Sequence, residues 1–461
     1  MTINLTNAIQ YAHQNHENTI NELNDLVKIP SVSTNPDHAS DMHKAAHWLE
    51  NKLTSLGFAT QIFKTDKHPV VFAEYKFSPA APTILVYGHY DVQPPDPLDL
   101  WNTGPFTPEI RGDYLFGRGT SDMKGQVIAS INAVESLLKF DSLKVNVKFM
   151  IEGEEEIGSP SLKKFLEENK ELLAADIALN PDTGMIAPDV PTITLGLRGV
   201  AHFELNIYGP NRDLHSGMFG GVVHNPAQVM CDVLSGLHNP DGSVALPGFY
   251  DRVRTLSADE KAELARLPMN EDTYINQTGV PKLWGEASFT PVERIGARPT
   301  LEINGMYSGY LGEGSKTIIP SFAHGKVSLR LVPNQDPIEI KQQIHEYLES
   351  KIPDTVTWDI KGPNGAPASI VDRNLPATVA LKNALESVWG KTPVFKLEGG
   401  SVPVVASMEN ILGIKSVLTG FGLPEDNIHS PNERLHLPTW KNGIDTLIHF
   451  FTNMTKIQVE K

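Results

Sequence analysis

Apolar positions near the start of the chain recur at helical spacing. Ile9, Ala12, Ile20, Leu23, Leu26 and Val27 are spaced so that they fall on one face of a helix, which predicts one buried helix face, and Pro30 ends this helical region. A second helix is predicted over residues 39–56. After Gly57 the pattern changes to short apolar runs separated by Pro and Gly, which is typical of strands.

Strand and helix patterns then alternate up to residue 197. The apolar run VNVKFMI lies between helix-period segments at residues 125–138 and 160–173. Such alternation indicates a mostly parallel, mixed sheet that is sandwiched by helices. We therefore predict an α/β domain whose first segment is 1–197.

The pattern changes again at about Arg198. AHFELNIYG, PTLEINGMYSGYLGEG and GKVSLRLVP alternate with a period of two, around helical segments at 225–237 and 337–352. This predicts a separate α+β domain, 198–365, inserted into the first. The Gly- and Pro-rich stretch KGPNGAPAS predicts a hinge at its end, after which 366–461 would complete the first domain.

Composition narrows the possible partners and the compartment. Lys and Arg number 39 against 55 Asp and Glu in 461 residues, and the formal charge of −16 argues against nucleic acid or an anionic membrane as a partner. The only cysteine, Cys231, cannot form an internal disulfide, and the N-terminal stretch lacks the basic and apolar regions of a secretory signal. No apolar run approaches the ~20 residues that span a bilayer. We therefore expect a cytoplasmic protein.

Acidic and imidazole side chains follow several predicted strands. His89 and Asp91 end TILVYGHYDV two positions apart, Asp122 lies among glycines in LFGRGTSDMKGQ, and Asp182 follows another apolar run. Open α/β sheets bind ligands at the carboxyl edge of their strands. Taken singly, a polar turn or a helix-capping aspartate explains each residue equally well. The glycines match neither the Walker motif nor GxGxxG.

A cluster of glutamates lies directly behind the run VNVKFMI. Its members are Glu152, Glu154, Glu155 and Glu156. Near the C-terminus, DNIHSPNE adds His429 and Glu433. A solvated turn is the simplest explanation of an acidic cluster. If several strand ends converge, however, carboxylates this close must take up protons or bind cations, and cations cost less free energy. The sequence thus indicates a metal site.

Six motifs, taken in order, resemble the two-metal aminopeptidase-like hydrolases, which include carnosinases, cytosolic nonspecific dipeptidases, aminoacylases and glutamate carboxypeptidases. They are GHYDVQPP, GRGTSDMKG, EGEEEIGS, RDLHSGMFGG, EGGSVPV and NIHSPNE. The similarity runs from about Val27 to the last predicted helix. It implies a zinc-aminopeptidase-like catalytic domain and an inserted lid and dimerisation domain, and hence a homodimer.

The resemblance also assigns the cation ligands. His89 and Asp182 would hold one cation, Glu156 and His429 the other, and Asp122 would bridge the two. Two histidines and three carboxylates without a thiolate suit Zn²⁺, although hard oxygen donors also admit Mn²⁺ or Co²⁺. We expect two divalent cations per subunit, with Zn²⁺ as the metal.

Two further catalytic roles follow from the same motifs. Asp91 would support His89, and Glu155 would act as the general base toward a hydroxide held between the cations. The extra Glu154 makes the register ambiguous, and Gly158 with Ser159, which close the family motif, select Glu155 and Glu156. Met123 departs from the family pattern, since many related dipeptidases carry a second aspartate there. The peptide bond before this position is cis in the family.

Five residues of the predicted inserted domain and the segment after it would recognise the substrate. His215 in RDLHSGMFGG would stabilise the oxyanion in the active site of the partner subunit, and Thr317 in GSKTIIP would reach across in the same way. Arg330 in VSLRLVP would bind a free carboxylate, because a guanidinium offers a bidentate fork. Gly400 and Ser401 in EGGSVPV would contact the substrate backbone. Without the resemblance, a surface histidine, a solvent-facing arginine and a plain turn explain the same residues.

The leading hypothesis is a metallopeptidase that cleaves dipeptides or short peptides with a free C-terminal carboxylate. The long predicted insert, with NGMYSGYLGEGSKTIIP, and the later motif EGGSVPV favour the dipeptidase and carnosinase branch over the compact deacylases. An N-acyl amino acid deacylase with the same metals is the alternative. A noncatalytic relative is less consistent, because every ligand position is filled, and a nucleotide-binding protein would need a phosphate loop.

Overall fold

The computed structural model describes residues 2–400 and 402–457, so Ser401 lies outside the described residues. The chain forms two compact units. The first unit comprises Met1–Leu195, Val371–Phe395 and Ser407–Lys461, and the second comprises Gly196–Ile370 and Lys396–Ala406. The second unit thus also includes Lys396–Ala406, which the sequence analysis assigned to the segment 366–461.

Up to residue 197 the elements are α1 (Thr2–Gln14), α2 (His16–Val27), α3 (Ala39–Ser55), β1 (Ala59–Phe63), β2 (Val70–Tyr75), β3 (Thr83–His89), β4 (Glu109–Arg111), β5 (Tyr114–Phe116), α4 (Lys124–Leu138), β6 (Asn146–Glu152), α5 (Leu162–Glu168), α6 (Lys170–Leu173), β7 (Ile177–Asn180) and β8 (Thr192–Leu197). Short 3₁₀ turns form at Pro36–His38, Leu98–Leu100 and Glu155–Ile157. The chain passes from the first unit to the second within β8.

From residue 199 to 370 the elements are β9 (Gly199–Tyr208), β10 (Leu214–His215), α7 (Ser216–Phe219), α8 (Pro226–Ser235), α9 (Ala258–Leu264), α10 (Glu271–Thr278), α11 (Pro291–Gly296), β11 (Thr300–Ser308), β12 (Ile318–Ile319), β13 (Phe322–Leu331), α12 (Pro337–Lys351), β14 (Thr357–Ala366) and β15 (Ser369–Ile370). The remaining elements are α13 (Pro376–Trp389), β16 (Val394–Glu398), α14 (Pro403–Ser407), β17 (Ser416–Leu418), β18 (Arg434–His436) and α15 (Leu437–Met454), with a π-helical turn at Met408–Leu412.

The first unit is built on a mixed sheet. Its strands lie in the order β1-β2-β6-β3-β7-β17-β8. The four central strands β6, β3, β7 and β17 run parallel, whereas β1, β2 and β8 pair antiparallel with their neighbours. The predicted α/β fold with a mixed sheet is confirmed, but the parallel part is limited to the centre. This arrangement brings the carboxyl ends of β3, β6 and β7 to one edge of the sheet.

Helix α4 forms the middle of the core of the first unit. All but two of its residues are buried, against neighbours that include β3, α2 and α15. Several polar side chains on this buried helix have hydrogen-bond partners; for example, Lys124 donates to the carbonyls of Leu26 and Ile29, and Asn132 donates to Thr19 Oγ1. The start of α4 is fixed closely, since a Cβ added at Gly125 would lie 2.2 Å from the carbonyl oxygen of Thr120. The loop before α4 is therefore held tightly against the helix.

The second unit contains an antiparallel sheet in the order β11-β13-β9-β14. Alternate side chains of β9 from Ala201 to Ile207 are buried in a core with α8 and α12, which explains the period of two in the sequence. The intervening side chains of β9 lie on the opposite face, where they are exposed or half-buried.

Three local expectations were wrong. KGPNGAPAS does not form a hinge, because β14 continues through Ala366 and pairs with β9 across a register shift between Lys361 and Asn364. The helix predicted over 160–173 is divided at Asn169 into α5 and α6. Helices α9, α10 and α11 were not predicted, since they are short and begin with polar capping boxes rather than with an apolar period.

None of the helices in the described part of the chain is both long enough and apolar enough to cross a membrane.

Candidate metal centre

The carboxyl edge of the first unit gathers the acidic and imidazole residues that the sequence singled out. His89 is the last residue of β3, Asp182 follows β7 by two residues, and Glu156 lies in the 3₁₀ turn after β6. Asp122 comes from the loop before α4, and His429 from the loop before β18. Five distant positions in the sequence therefore meet at one edge.

The first candidate cation position lies among His89, Asp122 and Asp182. His89 Nε2 is 3.2 Å from Asp122 Oδ1 and 3.9 Å from Asp182 Oδ2. His89 is fully buried, and the two carboxylates are largely so. Each of these three residues offers one ligand atom. The three atoms lie within 4.8 Å of one another, which is close enough for one metal ion to bind all of them.

The second candidate position lies among Asp122, Glu156 and His429. His429 Nε2 is 3.0 Å from Asp122 Oδ2 and 3.3 Å from Glu156 Oε2. Asp122 therefore turns one oxygen toward His89 and the other toward His429. This is the arrangement that a bridging carboxylate requires.

Asp91 contacts both His89 and the turn that carries Glu155 and Glu156. It is fully buried, and its Oδ1 lies 3.4 Å from His89 Nδ1, while the backbone carbonyl of Asp91 lies 3.1 Å from the same nitrogen. Its two carboxylate oxygens also accept the backbone N–H groups of Glu155 and Glu156 at 3.3 and 3.0 Å. One carboxylate thus orients the imidazole of His89 and fixes the turn that carries both glutamates.

The four glutamates of the acidic cluster have different environments. Glu154 is buried and accepts hydrogen bonds from the Thr65 hydroxyl and from the backbone N–H groups of His68 and Ser161. Glu152 is buried and accepts hydrogen bonds from Tyr87 and Ser159 side chains. Neither belongs to a candidate cation group, so the crowding has largely a structural cause.

Gly158 explains how the turn can be so tight. It ends the 3₁₀ turn Glu155–Ile157 with a φ of +82°, in the left-handed region that favours glycine. The chain reverses there, which leaves Glu156 facing His429. Glu156 is the residue that the register based on Gly158 and Ser159 predicts as a cation ligand.

Met123 is buried beside the cluster. Its sulfur accepts the backbone N–H of His89 at 3.2 Å, and the Asp122–Met123 peptide is cis, as the family resemblance implies. The residue that departs from the family pattern therefore packs against β3 and leaves the Asp122 carboxylate free to face the two imidazoles.

The supporting contacts of two residues were not predicted from the sequence. Gln93 donates from Nε2 to Glu156 Oε2 at 2.8 Å. Glu433, which the sequence grouped with possible donors, is fully buried behind the cluster and pairs with Arg118 at 2.8 Å. A single polar residue in a loop gives no periodic signal, so these contacts become visible only in three dimensions.

The electrostatics of the cluster show that its acids are crowded. Burial raises the pKa of Glu155 to about 9 and that of Asp182 to about 7, with neighbouring carboxylates adding to the effect. Burial acts in the same direction on Asp122, but the imidazoles of His429 and His89 bring its pKa below the ordinary value. The carboxylates of Asp122 and Glu156 raise the pKa of His429 to about 10. Without cations, protons must balance this charge.

The predicted substrate-binding residues belong to the second unit. His215 on β10 pairs with Ile318 on β12, and the backbone N–H of Ser216 donates to the carbonyl of Thr317, so the structure brings His215 and Thr317 side by side. His215 is exposed, and its Nδ1 accepts the backbone N–H of Gly217 at 2.9 Å.

Arg330 and Gly400 are linked through a residue that the sequence did not indicate. Arg330 on β13 pairs with Thr300 on β11. Arg198 donates from Nε to the carbonyl of Gly399 at 3.1 Å and from Nη1 to Thr300 Oγ1 at 3.4 Å, and its backbone N–H donates to the carbonyl of Gly400. Arg198 thus connects the two predicted substrate-binding segments.

The residues present fit divalent cations. His89 Nε2 is fully buried and has no hydrogen-bond partner among the described residues, although two carboxylates lie within 4 Å of it. Asp122, Asp91 and Asp182 raise the pKa of His89 well above its ordinary value despite its burial, so the ring holds a proton that a bound cation would replace in offsetting these carboxylates. The donor set of imidazole nitrogens and carboxylate oxygens suits zinc, manganese or cobalt.

The carboxyl edge of this α/β sheet holds two histidines and three carboxylates around two adjacent positions. These features define the class of the protein as a metal-dependent hydrolase with paired cations.

Comparisons with known proteins agree with this class. The model of peptidase family M20/M25/M40 matches residues 85–453, and the chain belongs to this family. The Cys-Gly metallodipeptidase dug1 of Schizosaccharomyces pombe is 30% identical over 473 residues, covering 96% of this chain and 97% of the relative. The Beta-Ala-His dipeptidase of Homo sapiens is 32% identical over 395 residues, covering 84% of this chain and 78% of the relative.

A solved structure gives the same result for the fold. The structure of the di-peptidase Dug1p of Saccharomyces cerevisiae superposes with a TM-score of 0.85 at 26% identity, covering 99% of this chain and 100% of that one. The protein is thus a metallopeptidase with a family fold over nearly its whole length.

Cation binding should release protons at pH 7. His429, with a pKa of about 10, and part of the Asp182 population, with a pKa of about 7, hold protons that must leave before these groups can bind a metal. The affinity for Zn²⁺ should therefore rise as the pH is raised from about 6 to about 8. Calorimetry in two buffers with different ionisation enthalpies measures the protons released, and a release of zero at pH 7 would contradict this electrostatic picture.

Proposed function

We propose that the protein hydrolyses the peptide bond of dipeptides, or of short peptides, that carry a free C-terminal carboxylate. The observation that carries this proposal is the meeting of His89, Asp122, Glu156, Asp182 and His429 at one sheet edge. The family membership and the similarity to proteins named as dipeptidases support the substrate class.

In this proposal His89 and Asp182 would hold one cation, Glu156 and His429 would hold the other, and Asp122 would serve both. When bound, paired cations supply Lewis-acid polarisation of the scissile carbonyl and ionise water near neutral pH. Asp91 keeps His89 in the orientation in which Nε2 faces Asp122 and Asp182, where it would be available to a cation. Zn²⁺ is the proposed metal because of the mixed nitrogen and oxygen donors.

Glu155 is the general base. Its turn is fixed by the bond from its backbone N–H to Asp91, and it lies one residue before the ligand Glu156. Burial and the neighbouring carboxylates raise the pKa of Glu155 to about 9 without cations, and bound cations would offset those carboxylates and lower this pKa toward the range that a general base needs. Glu155 takes a proton from the attacking water and delivers it to the nitrogen of the leaving amine.

His215 is the proposed oxyanion donor, and it acts on the active site of the partner subunit together with Thr317. Because Nδ1 of His215 accepts the N–H of Gly217, the proton of the neutral ring sits on Nε2. An Nε2–H that points away from its own backbone is suited to donate to a developing negative charge.

Arg330 binds the substrate carboxylate, and Gly400 with Ser401 contacts the substrate backbone. Arg198 supports this assignment, since it is bonded to both Thr300, the partner of Arg330, and the Gly399–Gly400 segment. The inserted domain, which we equate with 198–365, thus combines substrate recognition with lid and dimerisation roles.

The homodimer is supported by the edge strand of the second unit. β11 is an outer strand of its sheet, and Ile303, Met306 and Tyr307 on it are each about half exposed. An apolar, unpaired strand edge is a surface that soluble proteins usually cover. The single cysteine supports the proposed cytoplasmic location.

Comparing Ala-Leu with acetyl-Leu as substrates tests the reaction class. The protein loaded with Zn²⁺ should cleave the dipeptide with the higher kcat/KM. The N-acyl amino acid deacylase alternative requires the reverse order, since it accepts an uncharged acyl group in place of the ammonium. A preference for acetyl-Leu would therefore overturn the proposal.

The substitution Glu155→Gln should lower kcat by about 10²- to 10⁴-fold, the usual contribution of a general base, while both cations still bind. Steady-state kinetics and metal analysis of the dialysed protein measure the two properties separately. Glu154→Gln is the matched control, because Glu154 is bonded to Thr65, His68 and Ser161 and belongs to neither cation group. Equal losses in both variants would mean that the base is assigned wrongly.

Mixing two inactive variants tests whether subunits share the site. His215→Ala and Arg330→Ala homodimers should each lose most activity, but a heterodimer should regain one intact site from the partner's unaltered residue. Activity is measured before and after subunit exchange that mass spectrometry has verified. No recovery in a sample that contains heterodimers would exclude action of His215 in the partner subunit.

A further inference from the structure

Glu433 makes an unusually complete set of hydrogen bonds for a residue outside the cation groups. Its side chain is fully buried. Oε2 accepts from Arg118 Nη1 at 2.8 Å and from the backbone N–H of Gly119 at 2.9 Å. Oε1 accepts from the backbone N–H groups of Ser121 and Asp122 at 3.0 and 3.1 Å. Four donors therefore converge on one carboxylate.

These donors belong to the loop that carries the bridging aspartate. Glu433 itself lies four residues after His429, in the loop that carries the imidazole of the second cation group. The bond between the N–H of Gly117 and the carbonyl of Glu433, at 2.9 Å, fixes the backbone at the same point. The carboxylate of Glu433 thus joins the Asp122 loop directly to the His429 loop.

Arg118 extends the connection to a third loop. Besides its bond to Glu433, it donates from Nη2 to the carbonyl of Pro94 at 3.2 Å. Pro94 follows Gln93, the residue that donates to Glu156. The three loops that surround the second cation position are therefore tied together by one buried ion pair.

We propose that Glu433 is a positioning residue that sets the separation of His429 and Asp122, and so determines the affinity of the cation position formed by Asp122, Glu156 and His429. This inference rests on the proposed two-cation function. The alternative is a purely structural ion pair, which would contribute to folding without distinguishing one cation position from the other.

The chemistry of the four contacts requires a carboxylate. All four partners are donors, and only an ionised carboxylate can accept on both oxygens at once. A glutamine would direct its NH₂ group at one donor pair and release either Arg118 and Gly119 or Ser121 and Asp122. An aspartate keeps the charge but is one methylene shorter, so it cannot reach all four donors from a backbone held by Gly117.

The experiment is a titration of Co²⁺ into the metal-free full-length protein, followed by visible absorption and calorimetry. Wild-type protein should bind two Co²⁺ ions. In Glu433→Gln one site should keep its affinity, and the affinity of the other should fall by about 10- to 100-fold, the range found when a ligand-orienting residue is lost. Glu433→Asp should change the same site in the same direction, and it serves in place of Glu433→Gln if that variant does not fold.

Glu135→Gln is the matched control. Glu135 is a mostly buried carboxylate of the same unit, and it pairs with Lys52 at 2.7 Å away from the cation groups. This variant should lose stability in thermal unfolding but bind both Co²⁺ ions as the wild type does. Loss of one cation site in Glu135→Gln to the same extent, or wild-type binding of both ions in the Glu433 variants, would overturn the positioning role. A wild-type protein that binds no pair of ions would overturn the proposed function as well.

Discussion

The sharing of one carboxylate between two imidazoles is the constraint on which this site depends. Asp122 can face His89 with Oδ1 and His429 with Oδ2 only if the loop before α4 holds its backbone in one place. That loop has little freedom, because Gly125 leaves no room for a Cβ beside the Thr120 carbonyl and Met123 is anchored on the N–H of His89. The buried helix α4 and the loop before it therefore fix the position of the Asp122 carboxylate.

The charge at this edge is balanced in layers. In the inner layer, the five candidate ligand side chains surround two positions at which cations would offset the carboxylates. In the layer behind it, Asp91, Gln93 and Glu433 use their polar atoms on backbone N–H groups and on the ligands themselves. Buried carboxylates are tolerable only when donors or cations satisfy them. The sequence alone suggests that the clustered carboxylates repel one another. In the structure, most of them accept hydrogen bonds or lie beside an imidazole.

The sequence predicts those parts of the protein that have a period or a motif. Apolar runs located β3, β6 and β7, and since parallel strands end at one edge, the meeting of His89, Glu156 and Asp182 could be expected. The roles of Glu433 and Arg198 could not, because each depends on partners more than a hundred residues away. The hinge expected in KGPNGAPAS was wrong for the same reason, since pairing with the distant strand β9 outweighed the local preference of Gly and Pro.

The two units separate the proposed chemistry from the proposed recognition. Every residue assigned to cation binding or proton transfer, from His89 to His429, belongs to the first unit, whereas His215, Thr317, Arg330 and Gly400 all belong to the second. The first set is fixed by strand ends and by buried hydrogen bonds, and changes there alter several ligands at once. In the second set, His215 lies on the short strand β10 and Thr317 beside β12, whereas Arg330 lies on the ten-residue strand β13 and Gly400 follows β16. None of these segments carries a candidate cation ligand, so one of these residues can change without replacing such a ligand. A scaffold divided in this way can keep a single hydrolytic centre while its substrate preference varies, which is consistent with relatives that carry the names of different dipeptidases at about the same identity.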